Sequence, residues 1–185
     1  MIRRTLLLAL LVPRPVLAQA PKVGKPASDF ALAALDRGTT KVRLSQLKGH
    51  PVVISFWASW CPPCRREMPE LSAAYTAYRS AGLEVLAVNE EALKVDEKGR
   101  AVYRSNQEHR KRLKEFVEEI AMPFPVLLDD AEGRVWSRYG SPILPAMLFV
   151  DTAGIVRAMY YEGLVTSDSL AKGLRAILSP ATFRP

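Results

Sequence analysis

The chain of 185 residues contains two cysteines, Cys61 and Cys64, and both lie in the sequence WCPPC. The thiolate is the reactive form of cysteine, so a cysteine that does chemistry needs a lowered pKa. A disulfide across two intervening residues restricts the unfolded chain very little, because crosslink entropy grows with loop length. The spacing therefore indicates a redox-active dithiol rather than a stabilising crosslink.

A helix that begins just after Cys61 would give the pair its reactivity. Apolar residues recur at helical spacing and predict a helix over 62–79. Pro62 and Pro63 suit its first turn, where a missing N–H is tolerated. Unpaired N–H groups at a helix start stabilise an anion, and residues three apart share a face. This geometry allows a Cys61–Cys64 disulfide and allows Cys64 to attack a mixed disulfide on Cys61.

The remaining pattern predicts an α/β domain with a central mixed β-sheet flanked by helices. Apolar runs predict buried strands, alternating segments predict an N-terminal and a late β-hairpin, and two further amphipathic stretches predict helices. Residues 89–106 form a polar insertion, which we interpret either as a hairpin or as a flexible excursion. The strand segments are 29–35, 41–44, 51–57, 83–88, 126–128, 146–150 and 155–161, and the helices lie around 113–120 and 170–178.

The N-terminal twenty residues are typical of a signal peptide. Arg3 and Arg4 precede a short apolar stretch at 5–12, and 18–20 is a small-x-small cleavage site. The apolar stretch is shorter than the roughly 20 residues that span a bilayer. We expect cleavage after residue 20, no stable membrane span afterwards, a linker over 21–28 and one domain over 29–185. A twin-arginine signal and a disordered extension are the alternatives.

Charge gives little support to a nucleic-acid partner. The formal net charge is +7, and three of the arginines, Arg3, Arg4 and Arg14, belong to the predicted signal peptide. The other basic residues are scattered or stand beside acids, as at 108–115, which is typical of a solvated helix face. A zinc site is also disfavoured, because the only histidines are His50 and His109 and there is no second cysteine pair.

The segment FWASWCPPCRREMPEL, residues 56–71, resembles the active site of the thioredoxin superfamily, particularly its TlpA/ResA-like periplasmic oxidoreductases. Leu144-Pro145 precedes the late hairpin in the same way as the cis-proline of that family, and the likeness extends from Asp29 to Leu178. The resemblance implies a thioredoxin-like fold and a protein thiol-disulfide oxidoreductase. Its redox group would be the Cys61–Cys64 disulfide, with no other cofactor and no metal.

The resemblance also implies roles for individual residues. Cys61 would attack substrate disulfides, and Cys64 would resolve the mixed disulfide. Pro145, in cis, would bring the backbone of the preceding residue opposite Cys61, where it could pair with a substrate strand. The substrate groove would comprise Trp60, Pro62, Pro63 and Leu144.

Glu67 is the implied proton carrier. It lies three residues after Cys64, where an acid in TlpA/ResA-like proteins helps the cysteine protons to move. The alternative is a surface glutamate paired with Arg65 or Arg66, which is a weak interaction. Thioredoxins carry a buried aspartate six residues before the first cysteine, but this chain has Ser55 there. Any acid/base role therefore moves to Glu67 or to water.

Two further departures concern the groove. The family often has a threonine after the cis-proline and a glycine two residues before it. This chain has Ala146 and Ile143 at these positions, so we expect a more apolar groove.

The function implied by the resemblance is that of a periplasmic, or otherwise exported, reductant of protein disulfides. A membrane-embedded thiol reductase would supply its electrons, and apocytochrome c is a family-typical client. One alternative is a thiol peroxidase, because the N-terminal segment also resembles peroxiredoxins; their threonine three residues before the reactive cysteine is Ala58 here. The other is a copper(I)-handling module, since copper(I) prefers soft ligands such as thiolates.

Overall fold

The computed structural model describes residues 20–36, 40–90, 94–95, 101–102, 107–129, 134–140, 143–161 and 166–183. The predicted signal peptide, apart from residue 20, and residues 37–39, between the two strands of the predicted N-terminal hairpin, lie outside these ranges.

The described strands and helices follow the predicted order closely. The helices are α1 (Pro62–Tyr78), α2 (Gln107–Glu119), α3 (Arg134–Arg138) and α4 (Ser167–Ile177). The strands are β1 (Ala31–Ala34), β2 (Lys41–Arg43), β3 (Val52–Trp57), β4 (Glu84–Asn89), β5 (Lys94–Val95), β6 (Ala101–Val102), β7 (Val126–Leu128), β8 (Ala146–Val150) and β9 (Val156–Tyr161).

Seven strands form one mixed sheet in the order β2-β1-β7-β4-β3-β8-β9. The central strand β3 pairs in parallel with β4 and antiparallel with β8. All six residues of β3 are buried, as expected for a strand covered on both faces. The predicted α/β class with a central mixed sheet is confirmed.

The alternation of side chains along β3 divides the core into two layers. Val53 and Trp57 belong to a layer that also contains residues of α1, α2 and α4. Ile54 and Phe56 point to the opposite layer, which α3 covers. Ser55 has the same parity as Val53 and Trp57, so its side chain lies on the face covered by α1.

One local feature decides between the two interpretations of the insertion, and two others were not expected from the sequence. In the insertion, β5 and β6 pair antiparallel, which supports the hairpin interpretation; residues 91–93, 96–100 and 103–106 of it lie outside the described ranges. The short helix α3 was not predicted. The segment expected to be a linker is hydrogen-bonded to the start of β9, through Gly24 N–H to Val156 O and Val156 N–H to Lys25 O. Within the described ranges, no helix combines the length and the apolar character that crossing a membrane requires.

Candidate active site

The two cysteines lie where β3 passes into α1. Cys61 is the N-cap residue of the helix and Pro62 and Pro63 occupy its first turn, as predicted. Cys61 and Cys64 form a disulfide with a Cα–Cα distance of 5.3 Å. The backbone N–H of Cys64 donates to Sγ of Cys61 over 3.3 Å. In the reduced protein the same N–H and the helix dipole would stabilise a thiolate on Cys61.

The two sulfurs differ in accessibility. Cys61 retains 4% of its surface, whereas Cys64 retains none. Trp60, immediately before Cys61, is 50% exposed. A partner that approaches the disulfide therefore meets Cys61 and the Trp60 ring first.

The loop before β8 forms the second side of the site. The Leu144–Pro145 peptide bond is cis, as predicted. Ala146 pairs with Phe56, so Pro145 lies at the edge of the sheet where β3 ends and the cysteine loop begins. Pro145 is buried, Leu144 is half-buried and Ile143 is 42% exposed. With Trp60, Ile143 gives this end of the molecule an exposed apolar character.

Glu67 is buried, with 8% of its surface exposed, so the alternative of a surface glutamate is wrong. Burial raises the pKa of Glu67 from 4.5 to about 8; the Ser55 hydroxyl opposes this rise and the Glu70 charge adds to it. Neither carboxyl oxygen of Glu67 completes a hydrogen bond of standard geometry among the described residues. In the oxidised protein, Glu67 is therefore a neutral acid at pH 7, in the first turns of the helix that carries Cys64.

A carboxyl group with this pKa is suited to exchange protons with a thiol. The ordinary pKa of cysteine is about 8.5, close to the value of about 8 for Glu67. Proton transfer between groups of similar pKa is inexpensive in either direction.

An aromatic stack supports the site from the side of α2. The Phe116 ring stacks on the buried Trp57 ring at a centroid distance of 5.9 Å. The Arg65 guanidinium lies over Phe116, 4.9 Å from its centroid. The sequence predicts an amphipathic helix around 113–120 but not this contact, because no local pattern links residues 57, 65 and 116.

The part of the chain that the structure describes contains no cluster of metal-ligating side chains. No three His, Cys, Asp or Glu side chains there lie close enough together to hold a metal ion. The Cys61–Cys64 pair is the one set of thiolate ligands, since the chain has no other cysteine.

Comparison with known proteins places the chain among thioredoxin-like proteins. The sequence profile of the AhpC/TSA family matches residues 23–159. The thiol-disulfide oxidoreductase ResA of Geobacillus thermodenitrificans is 30% identical over 158 residues, which are 85% of this chain and 79% of that protein. ResA of Bacillus thuringiensis subsp. konkukian is 31% identical over 156 residues, covering 84% and 79% of the two chains. A crystal structure of a DsbE-type thiol:disulfide interchange protein from Chlorobium tepidum matches with a TM-score of 0.65 and 27% identity, covering 84% of this chain and 96% of that one.

Proposed function

Because this chain belongs to the AhpC/TSA family of thioredoxin-like proteins, and to the thiol-disulfide oxidoreductases related to ResA, we propose that it is an exported reductant of protein disulfides. One observation carries the proposal: a Cys61–Cys64 disulfide on a helix start, in which Cys61 keeps 4% of its surface exposed and Cys64 is fully buried. A protein thiol-disulfide oxidoreductase needs one attacking and one protected sulfur, and this geometry provides both.

In the first step, the Cys61 thiolate attacks one sulfur of the client disulfide. The client S–S bond breaks, a Cys61–client disulfide forms, and the second client sulfur leaves as a thiolate that takes a proton from water. The N–H of Cys64 favours the attacking thiolate, because a thiolate accepts a hydrogen bond more strongly than a thiol does.

In the second step, Cys64 attacks the Cys61 sulfur and releases the reduced client. The thiol proton of Cys64 passes to the Glu67 carboxylate, and the first client sulfur leaves as a thiolate. The client gains two electrons, and the pair is oxidised to the disulfide. A donor dithiol then reverses these events, and the departing Cys64 thiolate recovers its proton from Glu67, whose pKa of about 8 keeps it protonated in the oxidised protein at neutral pH.

The partners follow from the same proposal. Trp60, Leu144 and the exposed Ile143 provide an apolar rim for an unfolded client segment, such as that of an apocytochrome c. The electron donor would be a membrane-embedded thiol reductase, and the location the periplasm or an equivalent exported compartment. These assignments rest on the resemblance to TlpA/ResA-like proteins and on the predicted signal peptide.

The direction of electron flow is tested by the reduction potential. Equilibration of the purified protein in glutathione or dithiothreitol buffers, followed by alkylation of free thiols, gives the oxidised fraction at each potential. A reductant is expected near the value of thioredoxin, about −270 mV, and a value near that of DsbA, about −120 mV, would make the protein an oxidant instead.

The roles of the two cysteines are tested by trapping. A Cys64→Ser variant should retain a client on Cys61 as a mixed disulfide that dithiothreitol releases. The matched control is Cys61→Ser, which should trap little, because Cys64 is fully buried. Equal trapping by both variants would show that the assignment of attacking and resolving sulfurs is wrong.

A thiol peroxidase is the second candidate, because the matching family profile is that of AhpC/TSA. The residue three before Cys61 is Ala58, which is buried and offers only its backbone carbonyl, an acceptor for the Cys61 N–H. We therefore expect slow turnover of hydrogen peroxide and faster reduction of a protein disulfide. Peroxide turnover faster than disulfide reduction would reverse this ranking.

A further inference from the structure

Ser55 lies on β3, in the middle of the sheet. The residues that pair with it on the two neighbouring strands offer its hydroxyl no polar side chain. Its partner on β4 is Ala87 and its partner on β8 is Met147, and both side chains are apolar. Ser55 itself is fully buried. The sheet therefore gives its hydroxyl no hydrogen-bond partner, although burial of an unpaired hydroxyl costs about 1–3 kcal/mol.

The polar group that Ser55 meets comes from α1. The side chain of Ser55 faces the layer that contains Cys64, and Glu67 lies one turn further along the same helix. Ser55 Oγ and both carboxyl oxygens of Glu67 are buried without a completed hydrogen bond among the described residues. The Ser55 hydroxyl is nevertheless near enough to Glu67 to affect its acidity. It lowers the pKa of Glu67, which burial raises. A direct bond after a small side-chain rotation, or one bridging water, would satisfy both.

We propose that Ser55 is a positioning residue for Glu67, and that its hydroxyl donates to the Glu67 carboxylate that forms when Glu67 gives its proton to Cys64. This inference rests on the proton-carrying role of Glu67 in the proposed function. The β3 hydroxyl fixes the carboxyl beneath the cysteine pair and sets how readily it accepts a proton from the thiol.

The other charged groups near Glu67 do not offer this stabilisation. Glu70 on α1 raises the pKa of Glu67, and its carboxylate accepts a hydrogen bond from Ser167 on α4 over 2.8 Å. On α4, Asp168 and Lys172 pair with each other over 2.7 Å. Other titratable or charged groups around this layer include Arg65, whose guanidinium lies over Phe116, Tyr75 and Tyr78 on α1, Tyr160 on β9, and the disulfide-bonded Cys61 and Cys64.

The test is the titration of Glu67 in the oxidised protein, in which no turnover occurs. Carbon-13 in the glutamate carboxyls gives the titration by NMR, and a Glu67→Gln variant identifies the signal. Loss of one hydrogen bond to a charged group should raise the midpoint by about one pH unit in Ser55→Ala. An unchanged midpoint would overturn the proposal.

A shape-matched pair separates hydrogen bonding from packing. Ser55→Thr and Ser55→Val add similar bulk beside Ala87 and Met147, but only the threonine keeps a hydroxyl. We expect Ser55→Val to shift the midpoint upward by about one pH unit relative to Ser55→Thr. Equal midpoints in the pair would refute the hydroxyl as the cause.

The proposed function can fail independently of this inference. If the wild-type protein reduces no protein disulfide, the proposed function is wrong, and the oxidised-state titration still decides whether Ser55 acts on Glu67. If reduction is observed, its pH profile should move upward in Ser55→Ala together with the carboxyl midpoint. A profile that stays in place while the carboxyl midpoint moves would refute the catalytic consequence.

Discussion

Relative to wild type, the oxidised Glu67→Gln variant should become increasingly stable as the pH rises. The carboxyl is buried and its pKa is raised from 4.5 to about 8. Between these values the folded protein keeps a proton that the unfolded chain has lost, so raising the pH favours unfolding of the wild type. Below 4.5 both states are protonated, and the group then contributes no pH dependence. Glutamine has nearly the same shape and does not ionise.

The magnitude follows from the same two pKa values. Each pH unit of difference corresponds to about 1.4 kcal/mol, so full ionisation in the folded protein costs about 5 kcal/mol. Between pH 5 and pH 8, the free energy of unfolding of Glu67→Gln relative to wild type should therefore rise by about 3.5 kcal/mol. This figure is an upper bound, because water that enters the core would ease the ionisation.

Urea denaturation of the oxidised protein measures this difference. It is carried out without added reductant, so that the disulfide stays intact, at four pH values from 5 to 8. The control is Glu118→Gln, which removes an exposed carboxyl that pairs with Lys114 on α2. Its effect should stay within about 0.5 kcal/mol across the range, as is usual for surface substitutions. A constant difference between Glu67→Gln and wild type would refute the reasoning, because it would mean that Glu67 is ionised in the folded protein throughout.

Three further variants test other parts of the structure. Gly173→Ala should destabilise the protein by about 1–3 kcal/mol, because a Cβ there would collide with the Phe149 ring beneath α4, and thermal melts that show no loss would contradict this close approach. Tyr139→Phe should cost about 1 kcal/mol in chemical denaturation, because the buried hydroxyl donates to the Ser28 carbonyl over 2.6 Å; a neutral result would mean that the bond has no net value. Trp60→Ala should raise the KM for a protein disulfide several-fold and leave reduction of a small disulfide nearly unchanged, because Trp60 is half exposed at the rim. Equal effects on both substrates would argue against contact between Trp60 and the client.

The cysteine site could be predicted from the sequence because its determinants are local. The strand, the N-cap, the two prolines and the cysteine spacing all lie within residues 52–64, and each limits the backbone in a known way. The cis form of Pro145 was predicted from the resemblance alone, since periodicity carries no information on peptide isomers. Helical spacing also predicted that Cys64 and Glu67 lie on the same face of the helix.

The depth of Glu67 could not be predicted in the same way. Helical spacing places a residue on a face, but the packing of α1 over β3 decides whether that face is covered. The same limit applies to α3, whose five residues are too few to show a helical period. It applies as well to the bond between Tyr139 and Ser28, which are 111 residues apart.

The pairing of β3 with β8 has a consequence for synthesis of the chain. Cys61 and Cys64 leave the ribosome together, whereas Pro145 lies 84 residues later in the sequence. At roughly 5–20 residues per second, that interval lasts on the order of 4–17 s. During this time the growing chain carries both thiols without the loop that completes their groove. Because each chain has only these two cysteines, every intramolecular bridge that forms early is already the native one.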